Sequence, residues 1–153
     1  MKRILIIRFS SIGDIVLTSP VVRCIKEQVD PCEIHFVTKS SFASIAEANP
    51  HVDKVHSLKQ SLSSVISDLK KVGFDHVIDL HNNIRSRRVT NALGVHTTRF
   101  NKLNTEKWLL TNLKVNKLPN VHIVDRYLET ASILNVKNDK KGLEFFIPKA
   151  DEV

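Results

Sequence analysis

An acidic side chain follows an apolar run near the start of the chain, in a turn made of small residues. The run spans Arg3–Phe9, and Ser10, Ser11, Gly13 and Asp14 come soon after it. Small residues let a ligand approach the backbone closely, and the N–H groups at the start of a helix attract anions. A carboxylate held there can take a proton from a substrate hydroxyl. With one glycine and no Gly-Lys-Ser/Thr sequence, the turn matches neither a dinucleotide-binding loop nor a Walker loop.

Asp14 also has a structural interpretation. Ser11 lies three residues before it, and this spacing is that of a capping box, which stabilises a helix by about 1 kcal/mol. A helix N-terminus favours the ionised carboxylate and so weakens it as a base. However, a proton that leaves late, from a hydroxyl already attacking an electron-poor carbon, needs an ionised acceptor more than a strong one. Residue types alone favour the cap and leave the general base open.

A second polar segment follows another apolar run, Phe74–Leu80. It carries His81, Asn82, Asn83 and Arg85. Arginine binds phosphate through two parallel hydrogen bonds, and amides suit hydroxyl groups, so these residue types can hold a phosphorylated sugar. The alternative is structural: an asparagine that caps the next helix, a histidine that forms a hydrogen bond at a strand end, and a solvated arginine face.

The positive charge of the chain is concentrated around this second segment. The formal net charge is +7, and no acidic residue occurs between Leu80 and Thr105. Such a charge predicts attraction to a polyanion, either a nucleic acid, a phospholipid or a phosphorylated substrate. Arg99, near the end of a later apolar run, is a further candidate for a phosphate contact. The basic residues of the stretch are Arg85, Arg87, Arg88, Arg99 and Lys102.

A basic nucleic-acid-binding domain is the main alternative function. The basic stretch lacks the aromatic residues that interleave with arginine and lysine in a stacking platform. The sequence also contains no helix-turn-helix or RNP motif. A nucleic acid is therefore not the expected partner.

Apolar periodicity predicts alternating strands and helices, hence an α/β fold with a Rossmann-like parallel sheet flanked by helices. Ligands of such sheets bind at the carboxyl ends of the strands, where both polar segments fall. Pro20 lies inside one predicted helix and is expected to kink or break it. The predicted strands are 3–9, 33–38, 52–58, 74–80 and 95–100, and the predicted helices are 14–29, 40–48, 61–72, 83–93, 105–113 and 121–134.

The bulk composition fits one cytoplasmic domain. The 153 residues are 42% hydrophobic, enough for a substantial core. No apolar run reaches the roughly 18 residues that a membrane span needs, and Arg8 interrupts the first run before it attains signal-peptide length. Cys24 and Cys32 fit no zinc or redox spacing and are expected to be free thiols. Trp108 and Tyr127 lie at helical spacing with leucines, which favours core packing.

The opening segment ILIIRFSSIGDIVLTSPVVRCIK resembles the start of the glycosyltransferase family nine proteins, which include the ADP-heptose:lipopolysaccharide heptosyltransferases. Members begin with a strand, an arginine, a small pair, an apolar residue, Gly-Asp, an apolar stretch and a proline. The segments FDHVIDLHNNIRSRR and HIVDRYLE resemble two further stretches of the family, so the resemblance covers residues 1 to about 135. The matching residues of the opening motif are Arg8, Ser10, Ser11, Ile12, Gly13, Asp14 and Pro20.

The resemblance implies an inverting transferase of the GT-B architecture, with two Rossmann-like halves and the active site between them. The N-terminal half holds a phosphorylated inner-core acceptor, the C-terminal half holds the nucleotide-sugar donor, and the Gly-Asp aspartate, here Asp14, is the base. Members work without a bound metal, and no cofactor is expected. Residues 1–147 then form the acceptor domain and 148–153 begin the interdomain linker, with the donor domain absent. The family's acceptor places the protein in the cytoplasm, peripheral at the inner-membrane surface.

Overall fold

The computed structural model describes residues 1–100 and 119–144 of the chain. Five parallel strands form one sheet in the order β3-β2-β1-β4-β5, which confirms the predicted α/β class. β1 at its centre is apolar and buried from Ile4 to Ile7, as expected for a parallel strand covered on both faces. The strands are β1 (Lys2–Ile7), β2 (Cys32–Lys39), β3 (Lys54–Leu58), β4 (His76–Asp79) and β5 (Thr97–Arg99).

Helices follow the strands much as predicted. The predicted helix 14–29 is two helices, since α1 ends before Thr18 and Pro20 lies in the first turn of the next helix, where it costs no hydrogen bond. Helix 40–48 begins as a 3₁₀ turn over Ser40–Phe42. The α-helices are α1 (Ile12–Leu17), α2 (Ser19–Gln28), α3 (Ala43–Glu47), α4 (Leu62–Lys70), α5 (Ile84–Leu93) and α6 (Pro119–Glu129).

The side chains of β1 alternate between two apolar layers. Ile4 and Ile6 pack in the layer that contains residues of α1, α2 and α6, whereas Leu5 and Ile7 pack in the layer of α4 and α5. Tyr127 of α6 is 2% exposed and makes an edge-on contact with Phe100, so its predicted core role is confirmed. Cys24 and Cys32 are buried free thiols.

Several predictions fall outside the described residues. These are the helix 105–113 with Trp108, and the linker 148–153 with the domain boundary at 147. Among the helices that the structure describes, none is long and apolar enough to cross a membrane.

A strap of ten residues, 135–144, runs back along α2 and is held by polar contacts. Gln28 exchanges two hydrogen bonds with the backbone of Lys137. Arg23, only 3% exposed, donates two 2.7 Å hydrogen bonds to Asp139 and one of 2.7 Å to Glu144. These carboxylates raise the pKa of the Arg23 guanidinium, and Arg23 in turn lowers that of Asp139. The strap thus ends beside the start of α2, where the Glu144 backbone N–H donates to the Ser19 hydroxyl.

Two pairs of histidines contact each other, and of the four residues His35, His56 and His76 are buried whereas His96 is exposed. His35 and His56 join β2 to β3 through a 2.8 Å ring nitrogen contact, and His76 contacts His96 at 3.1 Å. Burial lowers the pKa of His56 to about 4, helped by the charges of His35 and Lys54. Burial also lowers the pKa of His76 to about 4, helped by His96 and Lys2.

These histidines predict a loss of stability in mild acid. His56 and His76 stay neutral in the folded chain down to pH about 4 but bind protons in the unfolded chain below pH about 6.5, so folding weakens as the pH falls from there towards 4. We expect each of these two histidines to cost on the order of 2 kcal/mol by pH 5. Denaturant unfolding at a series of pH values measures it, with His76→Gln reducing the slope. A free energy of unfolding that stays constant between pH 7 and 5 contradicts the prediction.

Candidate functional site

Arg8 organises the turn between β1 and α1. Its side chain is 13% exposed and reaches three groups. Nε donates to the Ser10 carbonyl at 2.6 Å, Nη1 donates to the Leu80 carbonyl at 2.9 Å, and Nη2 lies 3.0 Å from Oδ2 of Asp14. One guanidinium therefore ties the ends of β1 and β4 to the carboxylate.

Asp14 combines a capping role with a charged environment. Its Oδ2 accepts hydrogen bonds from the Ser11 backbone N–H at 3.2 Å and from the Ser11 hydroxyl at 2.9 Å. Among the residues the structure describes, these bonds and the Arg8 contact all fall on Oδ2. Partial burial works against ionisation, but the charge of Arg8 and the Ser11 hydrogen bonds outweigh it, so the pKa of Asp14 is lowered. The side chain remains 38% exposed, which leaves Oδ1 as the oxygen that can meet a substrate.

The other residues of this turn leave room beside Asp14. Gly13 is exposed, and a Cβ added there would meet nothing within 4 Å. The Ser10–Ser11 peptide bond is cis. Across the turn, burial raises the pKa of the Tyr127 hydroxyl, and that hydroxyl also responds to the charges of Arg8 and Asp14. Tyr127 of α6 and Ile15 of α1 belong to the same buried apolar cluster, so α6 packs near α1.

The turn after β4 is built on Asp79, whose side chain is fully buried. Its Oδ1 accepts the backbone N–H groups of His81 and Asn82, at 3.0 and 2.8 Å. Asn82 has a positive φ of 51°, a backbone conformation that asparagine tolerates better than most residues. The His81 ring lies 5.2 Å from that of Phe9, measured between centroids. This carboxylate shapes the turn that carries the predicted residues.

Among the predicted residues of the second segment, the two asparagines form hydrogen bonds within the fold, whereas Arg85 is exposed. Asn83 caps α5, because its side-chain oxygen accepts the Ser86 backbone N–H at 2.8 Å. The Asn82 amide donates to the Phe100 carbonyl at 3.1 Å and accepts from Arg87. Both asparagines therefore serve the local fold in this state. Arg85, in contrast, is exposed at the start of α5.

Arg99 faces the interior of the turn. Its Nη2 donates to the hydroxyl of Thr90, and its Nε lies 3.4 Å from Oδ2 of Asp79. At this distance the two side chains form an ion pair. They do not form a well-aligned hydrogen bond, and neither Nε of Arg99 nor Oδ2 of Asp79 has another hydrogen-bond partner among the described residues. The structure thus does not bring Arg99 together with Arg85.

Arg85 lines a basic pocket at the carboxyl ends of β2 and β3. The pocket has a volume of ≈ 400 Å³, which is enough for a phosphorylated sugar unit. Four of its lining residues are cations and no acidic residue lines it. Their charges and the polar groups around them suit an anion. The basic pocket is lined by Lys39, Ser40, Ser41, Leu58, Lys59, Gln60, Leu62, Arg85 and Arg88.

Sequence reasoning missed several residues that the structure brings to this edge. Arg8 belongs to the opening motif, but its contact with Asp14 was not predicted from the sequence. An arginine that directly follows a buried strand is nevertheless a signal, because its charge needs a partner at the strand end. Lys59 and Arg88 were not assigned to the site, because nothing local shows that β3 and α5 share a pocket. Asp79 is the last residue of the apolar strand β4, and a charged residue at that position likewise indicates a polar partner nearby.

Comparison in sequence gives one curated relative. The chain is 29% identical to lipopolysaccharide heptosyltransferase 1 of Campylobacter coli, over 94% of this chain and 45% of that protein. It therefore spans about half the length of the relative that it matches. No protein-family model matches the sequence.

Comparison in structure finds the same kind of protein. A glycosyltransferase of family 9 from Veillonella parvula superposes with a TM-score of 0.74 and 21% identity, over 97% of this chain and 46% of that one. An Escherichia coli heptosyltransferase with ADP gives 0.67 and 18%, over 93% and 50%. The Escherichia coli ADP-heptose lipopolysaccharide heptosyltransferase II gives 0.66 and 19%, over 99% and 47%. The fold is that of one half of these proteins.

Proposed function

We propose that this chain, which is related in sequence and fold to the lipopolysaccharide heptosyltransferases of glycosyltransferase family 9, is the N-terminal, acceptor-binding half of an inverting glycosyltransferase. The complete enzyme would move heptose from ADP-heptose to the phosphorylated inner core of lipopolysaccharide. The observation that carries the proposal is Asp14, a carboxylate after β1 whose Oδ2 is held by Arg8 and Ser11 while the side chain stays 38% exposed.

In the proposed reaction, Oδ1 of Asp14 accepts the proton of the acceptor hydroxyl as that oxygen attacks the anomeric carbon of heptose. The new bond forms opposite the bond to ADP, which breaks and leaves with its electron pair on the phosphate oxygen. The configuration at the carbon inverts. Arg8 keeps the carboxylate ionised, and a late proton transfer makes a weak but ionised base sufficient.

The basic pocket supplies the site for the acceptor's anionic groups. Arg85 and Arg88 project from α5, Lys39 is the last residue of β2, and Lys59 follows β3. Cations from three parts of the chain therefore surround one space. A phosphate in it would gain charge-assisted hydrogen bonds from both arginines. Ser10, Ser11 and Gly13 would border the sugar that carries the attacking hydroxyl, with His81 and Asn82 on the neighbouring turn.

The donor would bind to a second half of the enzyme, which would meet the carboxyl edge of this sheet. The basic pocket also suits a protein that acts at the cytoplasmic face of the inner membrane, because anionic lipid headgroups there attract cations.

Reconstitution tests this proposal. The chain is co-expressed with the donor half of the Campylobacter coli relative, and heptose transfer to a truncated phosphorylated inner core is measured together with the anomeric configuration of the product. We expect transfer with inversion only when both halves are present. Transfer with retention, or transfer by the donor half alone, contradicts the proposal.

The pocket cations should control acceptor affinity. We expect Arg85→Ala combined with Arg88→Ala to raise the acceptor KM of the reconstituted enzyme about 10- to 100-fold with a smaller change in kcat, because each phosphate contact contributes on the order of 0.5–1.5 kcal/mol. Lys70→Ala combined with Lys137→Ala, which removes two exposed cations outside the pocket, is the matched control. If the control raises the acceptor KM as much as the pocket variant does, the effect comes from the net charge of the chain and the pocket does not bind the acceptor phosphate.

Arg8 should set the ionisation of Asp14. We expect Arg8→Gln to raise the pKa of Asp14 towards its ordinary value, because the largest favourable charge is lost while the Ser11 hydrogen bonds remain. Carboxyl NMR titration of the isolated chain measures this directly. Arg8→Lys, which keeps a charge but not the three contacts, should give a smaller rise. An unchanged titration in Arg8→Gln shows that Arg8 only ties strand ends together.

A further inference from the structure

The outer edge of the sheet at β3 is open in the part of the chain that the structure describes. β3 pairs with β2 alone, so every second residue of β3 turns a backbone N–H and a C=O away from the sheet. A wide groove of ≈ 1060 Å³ lies between this strand and α4. Unsatisfied backbone groups beside a groove are what an added strand would pair with.

One side of α4 forms the opposite wall of the groove. Ser61, Ser64, Asp68 and Lys71 line it, and their spacing of three, four and three residues puts them on one helix face. Ser61 caps the helix with its hydroxyl. A strand edge facing a polar helix stripe is the geometry in which extended peptides bind by strand addition.

The charges that line the groove favour an acidic binding partner. Lys54, Lys59 and Lys71 line it with Asp68 as the acidic counterpart. Asp53, next to Lys54, does not offset them, because its Oδ2 binds Lys26 at 2.8 Å and the Ile34 backbone N–H at 2.8 Å. A second copy of this chain would bring like charges together. An acidic segment would be attracted instead.

We propose that the β3–α4 groove binds an extended acidic segment of a partner protein, which adds to the sheet as a sixth strand. β3 has five residues, so the paired segment spans roughly 17 Å. Its backbone pairs with the open edge of β3, and its glutamate or aspartate side chains meet Lys54 and Lys71 at one end and Lys59 at the other. The groove shares Lys59 and Gln60 with the basic pocket, so a bound segment would lie next to the acceptor.

The experiment uses the isotope-labelled chain and a short blocked peptide in which glutamate and valine alternate. We expect the backbone amides of β3 to shift on titration, with a dissociation constant below about 1 mM. Lys54→Glu combined with Lys71→Glu should weaken binding at least about tenfold. Lys70→Glu, on the same helix but outside the groove, should leave it unchanged.

Three further peptides decide between strand addition and charge attraction: two that are methylated in opposite registers and one that carries lysine. A peptide methylated on alternate backbone amides should lose binding in one register of methylation and keep it in the other, because only one set of N–H groups faces β3. A lysine and valine peptide should not bind. Equal weakening by Lys70→Glu, binding insensitive to methylation, or no shift in β3 overturns the proposal and leaves the lysines as charges that keep a free edge from aggregating.

Discussion

Replacing Asp14 by asparagine should reduce kcat of the reconstituted enzyme about 10³-fold, since the general base is removed while the side chain keeps its shape. The asparagine can still accept the Ser11 backbone N–H, so the start of α1 is preserved. Substrate binding should change much less than kcat. Initial rates of heptose transfer at saturating donor and acceptor measure the effect, with circular dichroism to confirm folding.

A capping control separates catalysis from helix stability. Asp14→Ala loses both the base and the cap, and the cap is worth about 1 kcal/mol. Ser61→Ala removes the cap of α4, where the hydroxyl accepts the Ser64 backbone N–H at 3.4 Å, and should leave turnover close to that of the native protein. If Asp14→Asn retains turnover within threefold of the native protein, Asp14 is a cap and not the base.

Replacing Arg23 by methionine should lower the free energy of unfolding by about 3 kcal/mol, because the substitution leaves Asp139 and Glu144 beside α2 without their buried cation. For a domain of this size that is roughly a 10 °C fall in melting temperature. The two carboxylates are partly exposed, at 12% and 30% of their side chains, so water reduces the cost. Thermal and denaturant unfolding measure it.

Arg3 provides the matched comparison for this ion pair. Its side chain is 49% exposed and lies 3.8 Å from Glu33, so Arg3→Met should cost less than about 1 kcal/mol. Combining Arg23→Met with Asp139→Asn should recover part of the loss, since fewer unpaired charges remain. Arg23→Met as mild as Arg3→Met would show that the strap is not held by this cluster.

Local patterns were enough to predict the sheet. The apolar run of β1 and the helical spacing after it identify the α/β class, because a strand buried on both faces must be nearly all apolar. Pro20 marked the break between α1 and α2 correctly, since proline cannot sit inside a helix without losing a hydrogen bond. Gly94 ends α5 in a left-handed conformation, as its position suggested.

Contacts between distant segments could not be predicted. Arg8 meets Leu80 across 72 residues and Arg23 meets Asp139 across 116, and no local pattern encodes such pairs. The inward turn of Arg99 has the same origin, because Asp79 lies on the neighbouring strand. The cap at Asp14 is confirmed by its contacts with Ser11, and the general base, a role compatible with that cap, stays a prediction.

The central claim, that this chain is the acceptor half, is tested most directly by NMR titration of the isolated chain. Truncated phosphorylated inner core and ADP-heptose are added in separate experiments. We expect the inner core to shift the amides of Asp14 and Arg85, with binding that weakens in salt, and ADP-heptose to leave these amides unchanged. Binding of ADP-heptose at the turn after β1, with no response to the inner core, would contradict it.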